Sequence, residues 1–590
     1  MTQAAVGTLA PRVKVNGSDL ATATMNAMIG LKINSGLRIA SRATLEFLDD
    51  GFAVSAGGTF TIGAAVQIST PDGTALFKGE VTGVHLDVEY GAPNLSVIAD
   101  DAAYKMTLGN KVRTFTDMTY SDVVSQLAGD YGLTATTTAT SGTHKYLMQS
   151  DSDFGFLTEI ADRAGYDWWV DAQGALQFHP MGSQAGSGGP TLKWDDGQGN
   201  LRHFAVRATA LHPATVTARG WDPANKQPVT STSSTVEVKP DASLVTPYLD
   251  ASSLTSKGAV QSAHRLFSDQ SEGKSLADSV AQRSMAGAVV ATGVTLIDPN
   301  ITVGQSVTVS SMGPASGTYP VTEVEHSYSA RGFETRFTAG DREPTGLVDT
   351  LSGPRPSSFR QDGLVVGVVT NLGDSSSPPG HVKVKLPTLG DQVESFWARV
   401  VSTGAGASRG MTFLPEVDDE VIVGFEGGDI TRPLVLGGLY SGASAALDYG
   451  TANGTIAKRQ IVSRLGHVIE LGDGDGPADQ HIWMTLAGGE FFVKLGKDGL
   501  AATVPSGKPA KVSAGNSSIE IDAQGNITLT GQKITLKATQ DVEISGLNVK
   551  VKANVALEGS GTQVKMAGTG QAELSSSGQT AVKGSVVMIN

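Results

Sequence analysis

Residues 517–590 read SSIEIDAQGNITLTGQKITLKATQDVEISGLNVKVKANVALEGSGTQVKMAGTGQAELSSSGQTAVKGSVVMIN. Pairs of apolar residues with one residue between them recur along it: Ile519/Ile521, Ile527/Leu529, Ile534/Leu536, Val542/Ile544, Val549/Val551, Val555/Leu557, Val564/Met566 and Ala572/Leu574. The spacing averages about 7.6 residues, and glycines such as Gly525, Gly531, Gly546, Gly559 and Gly568 punctuate it. So short a period is a fibrous β signature. Each repeat offers one short strand with two inward apolar side chains, too little to offset its ordering entropy. Its backbone edges would also be unpaired. Three identical chains wound about one axis meet both needs, with Thr, Ser, Gln and Lys facing water. The alternative, a β-helix of one chain, calls for longer rungs. We therefore expect residues 517–590 to form an intertwined, trimeric β-helix. Its axis is lined by Ile519, Ile521, Ile527, Leu529, Ile534, Leu536, Val542, Ile544, Val549, Val551, Val555 and Leu557.

The rest of the chain is also β-rich. The 590 residues include 72 Gly, with 40% hydrophobic and 17% charged residues, a balance suited to short strands joined by glycine turns rather than to disorder. Length predicts several domains. The net charge of −14 speaks against a general nucleic-acid binder and against attraction to anionic lipid. The absence of cysteine excludes disulfides, thiolate metal sites and Cys nucleophiles. The opening MTQAAVGTLAPRVKVNG lacks the features of a signal peptide, and no apolar run is long enough to span a membrane.

Residues 1–110 alternate apolar and polar, as in a first β-barrel. Residues 111–199 form an α/β insert in which Phe156, Leu157, Ile160 and Ala164 share a helical face behind Asp153 as N-cap. Residues 200–345 return to strands and repeat the first barrel. Thr61-Ile62-Gly63, Val66 and Ile68 match Thr302-Val303-Gly304, Val307 and Val309; Val81-Thr82 and Val84 match Val321-Thr322 and Val324; Ala99 and Asp101 match Ala339 and Asp341. The nearly constant offset, 240 or 241 residues, indicates a duplicated barrel. Residues 346–362 read as a linker and 446–516 as a neck leading into the spike. Residues 363–445 hold a small OB-like barrel, with strands expected in LVVGVVTNL, HVKVKLP, SFWARVVST, MTFLPEVDDEVIVGFEGG and RPLVLGGLY.

That barrel carries a resemblance. Gly367-Val368-Val369, Val382-Lys383-Val384, Trp397-Ala398-Arg399-Val400, Gly410-Met411, Phe413, Pro415-Glu416, Glu420-Val421, Val423-Gly424-Phe425, Asp429, Arg432-Pro433, Val435 and Gly437 resemble the OB core of the VgrG family, spike proteins of contractile injection systems related to the phage T4 hub and spike. Gln149-Ser150, Phe154, Phe156-Leu157, Gly220-Trp221-Asp222-Pro223, Ser463-Arg464, Gly466-His467 and Ile469 extend the match. His381 stands where the family often has Arg, and Asp418-Asp419-Glu420 replaces Gly-Asp-Glu. The resemblance implies a homotrimeric hub and spike. Its duplicated barrels would give six per trimer beneath a sixfold inner tube ring. Its needle would face outward under a PAAR-type tip protein contacting Val587, Met588, Ile589 and Asn590. Baseplate proteins and effector cargo are further implied partners, with delivery through a target envelope.

Enzyme-like motifs weigh little. Gly406-Ala407-Ser408-Arg409-Gly410 fits G-x-S-x-G, but a nucleophile elbow needs a strand before the serine and a helix after it. Asp473-Gly474-Asp475-Gly476 is half a calcium loop and reads as a turn. Trp168 and Trp169 read as core packing, and the carboxylates of Asp100/Asp101 and Asp195/Asp196 would face opposite sides of a strand. Residues 443–460 leave no room for a lysozyme, and no effector domain is expected after the needle. We expect no cofactor, no metal and no catalytic residue. The alternative is a phage-type tail spike with cell-wall hydrolase or glycan-binding activity.

Overall fold

The computed structural model describes residues 10–589 apart from 90, 183–188, 195–198, 209–214, 224, 235–240, 243–258, 263–266, 268, 341–359, 375–376 and 453. Most of the expected linker, Asp195 and Asp196, Asp341 and Asn590 lie outside the described residues. The chain divides into two compact units, Met1–Ala445 and Ala446–Asn590. It is mainly β.

In the first unit the sequence repeat is realised residue by residue. One set of five strands is β1 (Met28–Gly36), β2 (Arg42–Leu48), β3 (Ala65–Ser69), β4 (Ala75–Glu89) and β5 (Ala92–Asp100). The second is β6 (Leu201–Ala208), β7 (Val289–Leu296), β8 (Ser306–Ser310), β9 (Gly317–Ser329) and β10 (Gly332–Ala339). Both are ordered 1-2-5-4-3 within the set. Val66 pairs with Gly79 and Val307 with Tyr319; Val81 pairs with Ala99 and Val321 with Ala339. Register shifts fall at matching places: between Val81 and Gly83 and between Val321 and Glu323, and again between Met28 and Gly30 and between Leu201 and His203. Gly63 N–H donates to Val81 O (2.8 Å) and Gly304 N–H to Val321 O (3.0 Å). Both glycines stand at positive φ, +88° and +83°, where a side chain would be strained. Shared bulges are features that chance similarity of strand sequences does not reproduce.

Two differences from the sequence reading stand out. The two repeats are joined edge to edge: β9 pairs along β1, with His326 opposite Ile33, so one sheet runs through both. The stretch expected to hold strands contains a 17-residue helix, α3 (Gln270–Ala286), while the insert holds α1 (Tyr120–Asp130) and α2 (Asp153–Ala164). The N-cap of α3, Asp269, accepts from the N–H groups of Ser271 and Glu272. Its apolar stripe is short and interrupted by serines, so periodicity concealed it.

The insert is built on α1 and α2. Ser152 rather than Asp153 caps α2, its hydroxyl accepting from Gly155 N–H at 3.1 Å. Asp153, one position inside, is buried and binds Lys111 Nζ (2.6 Å), Arg113 Nη2 (2.7 Å) and Gln149 Nε2 (2.7 Å). Phe156, Leu157 and Ile160 are buried as expected and Ala164 half-buried. The insert shares one apolar core with the OB barrel: Trp168 and Phe156 belong to the same cluster as Val382, Val421 and Val435. That barrel is closed, with strands Val365–Asn371, His381–Lys385, Ala398–Val400, Glu420–Phe425 and Pro433–Gly438. The expected strand in MTFLP is instead irregular, its Met411, Phe413 and Leu414 side chains exposed. Without burial on one face, alternation gives such a segment no ladder to join. Around half-buried Arg163, the carboxylates of Glu159 (3.1 Å), Asp429 (3.7 Å) and Glu272 (3.9 Å) tie α2, the OB barrel and α3 together.

Candidate assembly surface

The second unit begins with a five-stranded antiparallel meander, Lys458–Val462, Val468–Asp473, Gln480–Thr485, Phe492–Gly496 and Gly499–Thr503. Cross-strand partners share a face. Ile461, Ile469, Met484 and Val493 form one continuous rung, and Leu471, Ile482, Leu495 and Leu500 the next. All eight side chains are exposed. The opposite face carries Gln460, Glu470, His481 and Lys494. There Glu470 accepts from Gln460 (2.5 Å) and lies 2.9 Å from His481 Nε2. Burial works to raise the Glu470 carboxyl, but His481 and Gln460 hold it below its ordinary range. The sheet is thus inverted relative to an ordinary surface sheet: a hydrogen-bonded polar cluster lies on one side and an apolar face is bare on the other.

Ala510–Ala514, Ser517–Ile521 and Ile527–Thr530 follow as a three-stranded meander. Ile519 pairs with Leu529 and Ile521 with Ile527, so the first two apolar pairs of the repeat face one another within the chain. Among the described residues no strand follows Thr530. Ile534, Leu536, Val542, Ile544, Val549, Val551, Val555 and Leu557 are all exposed, as are Val587, Met588 and Ile589. The expected axis residues are therefore present and unburied in the single chain, and the strands expected from residue 534 onward have no ladder within it.

The enzyme-like motifs resolve into ordinary structure. Gly406 and Arg409 close a tight turn through mutual backbone hydrogen bonds (3.0 and 3.3 Å), with Ser408 at φ +55° and the strand Glu420–Phe425 as the next regular strand, not a helix. Asp473 ends its strand and pairs with Arg459. Trp168 and Trp169 are buried, Trp169 against Gly304, where a Cβ would come within 2.5 Å of the indole. Asp100 pairs with Arg42, while Asp101 accepts from Ser41 and Ala103 N–H groups. Among the described residues no group of three His, Asp or Glu side chains could hold a metal ion. A cavity of about 290 Å³ lies between insert, α3 and OB barrel, walled in part by Tyr120, Glu272 and Trp397. Among the described residues no helix is long and apolar enough to cross a membrane.

Residues 365–440 match the type VI secretion system/phage-baseplate injector OB domain. Residues 5–330, more than half of the chain, match the Alg8 N-terminal domain, and the chain belongs to that family. A comparison with curated proteins finds no match. Among solved structures, the chain is similar to an E. coli type VI secretion component described as resembling T4 tail proteins gp27 and gp5 (13% identity, 72% of this chain and 99% of that one, TM-score 0.47). It is also similar to the 43 kDa tail protein of prophage MuSo2 from Shewanella oneidensis (12% identity, 56% and 98%, TM-score 0.44). A third is the half-lidded Francisella PdpA–VgrG complex (8% identity, 84% and 87%, TM-score 0.49).

Proposed function

We propose that the protein is the homotrimeric hub and central spike of a contractile injection machine. Its two repeats in each of three chains match a sixfold inner tube, and its C-terminal segment is the threefold needle that pierces the target envelope. One observation carries this reading: after Thr530 the described chain has no strand of its own, yet its apolar pairs keep a regular period and lie bare. Exposed apolar side chains beside unpaired backbone are costly in water, and winding three copies together removes both costs. The bare rungs of the 458–503 meander carry an exposed apolar surface into the neck as well. The role is mechanical: sheath contraction supplies the work and the needle supplies stiffness, with no catalytic group in the spike itself. Inner tube protein, baseplate proteins, a PAAR-type tip and effector cargo are the partners this role requires.

Size-exclusion chromatography with light scattering on the full chain tests it. The expected mass is three times the 60.8 kDa chain, and electron microscopy should show a broad head with a thin rod on a threefold axis. A monomer at micromolar concentration contradicts the proposal.

A further inference from the structure

The OB barrel turns one particular face toward the cavity beside Trp397. Its strands close in the order 1-2-3-5-4. On the second and third, His381–Lys385 and Ala398–Val400, the side chains of Val382, Val384 and Ala398 are buried in the barrel. Alternation therefore points His381, Lys383 and Arg399 outward, and His381 lies directly opposite Arg399. Trp397 continues that outward row, with Lys383 Nζ 5.4 Å from its ring centre. The cavity is walled by this face, by Pro378 from the loop between the first two strands, and by Glu426, Asp429 and Arg432 from the connection between the last two. In barrels of this fold the outer face of strands 2 and 3, with those two loops, is where sugar or nucleotide chains bind. Here the insert and α3 add further walls, so the face lines a cavity of about 290 Å³. That is close to the lower bound for ligand pockets, roughly 300 Å³.

The chemistry of the walls decides between sugar and nucleotide. Arg399 Nη2 donates to Glu426 Oε2 at 3.1 Å, and Arg432 Nη1 lies 3.9 Å from the same oxygen. Asp429 accepts from the Thr431 N–H (3.0 Å) and hydroxyl (2.7 Å) and lies 3.7 Å from Arg163. Glu272 stands 3.9 Å from Arg163, and Lys145 is drawn to Asp117 at 2.6 Å. The cations are thus already faced by carboxylates, which leaves little positive charge for a phosphate chain. A net charge of −14 adds to that exclusion. Guanidinium and carboxylate side by side suit the hydroxyls of a sugar, which both donate and accept. The flat rings of Trp397 and Phe396 suit the C–H face of a pyranose. Two further groups add capacity for hydroxyls. His381 Nδ1 lies 2.9 Å from the Pro379 carbonyl, which assigns the proton to Nδ1 and makes Nε2 an acceptor. Tyr120, a buried wall of the cavity, has a hydroxyl with no hydrogen-bond partner among the described residues. A buried phenol is costly to leave unpaired.

We infer that this cavity binds a neutral saccharide, one ring stacked on Trp397 and its hydroxyls shared among Glu426, Arg399 and Arg432. Every group named belongs to one chain, so the site is complete without a second copy and does not depend on the trimeric reading. It gives a mechanical spike a contact with glycan chains, with no covalent step.

Saturation-transfer NMR on the full-length protein tests it. The probes are maltotriose, cellotriose and triacetylchitotriose, with an oligothymidylate as the competing class. Saturable transfer to the ring protons of at least one trisaccharide is expected, with none to the oligothymidylate. Binding should weaken about tenfold or more in Trp397→Ala, as for an aromatic anchor in a pocket. Trp397→Phe keeps a flat ring and should retain most of the affinity, whereas Glu426→Gln, which removes a charged acceptor without changing shape, should lose several-fold. Circular dichroism and light scattering on each variant establish that fold and mass are those of wild type. Should Trp397→Ala not fold, the contrast between Trp397→Phe and Glu426→Gln decides. No saturable transfer to any of the sugars overturns the site, as does affinity that Trp397→Ala and Glu426→Gln leave unchanged. Binding of the oligothymidylate in place of the sugars overturns it too and assigns the face to nucleic acid.

Discussion

His326 is a buried imidazole where β9 pairs with β1, at a position where the first repeat has Leu86. Its Nδ1 lies 3.0 Å from the Thr335 hydroxyl, and burial pushes its pKa down to about 4. The folded chain therefore binds this proton less readily than the unfolded chain, whose histidine titrates near 6.5. The stability tied to neutral His326 is full above about pH 6.5 and is lost as pH falls through 6.5 toward 4. Asp101 works in the other direction: burial raises its carboxyl to about 7, so its contribution is present at low pH and is lost as pH rises through neutrality. The comparison that isolates the histidine is wild type against His326→Leu. Urea midpoints of hub unfolding at pH 7 and pH 5 should show wild type losing about 2 kcal/mol more than the variant on acidification. Equal losses in both proteins would mean that His326 is not held neutral by the fold.

Among the elements, the needle makes the sharpest demand on sequence. Ile534→Asp would bring three carboxylates together on an apolar axis, a cost met only by protonating them or leaving the axis. Trimer mass should fall away in that variant while the hub keeps its fold, whereas Lys537→Ala, on the wet face, should leave mass and melting within error of wild type. Wild-type-like thermal stability of the Ile534→Asp trimer would contradict a buried axis. How far such elements could be read beforehand depended on how locally each is determined. The OB barrel was legible because its strands alternate and its turns sit at their ends. The duplicated barrels were legible because Val66, Val81 and Ala99 recur at one offset, though the matching bulges that prove the duplication need coordinates. Helix α3 was missed for want of a clean stripe, despite the Asp269–Glu272 cap that precedes it. The segment MTFLP is no strand because its exposed apolar residues imitate alternation without a sheet to fill. The axis residues are legible as a period, and on the proposed reading their burial would come from other chains, which no single chain can display. The joining of the two repeats through β9 and β1 was invisible, since edge pairing leaves no local trace in composition.

At the scale of the whole molecule, two kinds of stability should separate in time. The 1–445 unit has its own cores, each closed by contacts within the chain, and Trp168 and Trp169 report on them from buried sites. Its folding is intramolecular and should run at a rate independent of protein concentration. The needle has almost no such core among the described residues, so on the proposed trimeric reading its order arises on encounter of three chains, a step that quickens with concentration. Each chain carries −14, and three together carry three times that, so repulsion opposes the encounter and added salt should hasten it. Refolding from denaturant at two concentrations tenfold apart reads both events. Tryptophan fluorescence should recover with the same early rate constant in each, while the growth of trimer mass by light scattering accelerates with concentration and with salt. The two signals separate because the cores around Trp168 and Trp169 close within one chain and the needle does not. If trimer mass instead grew at one rate whatever the concentration, the needle would be folding before the chains meet, and the winding of three copies would not be what orders it.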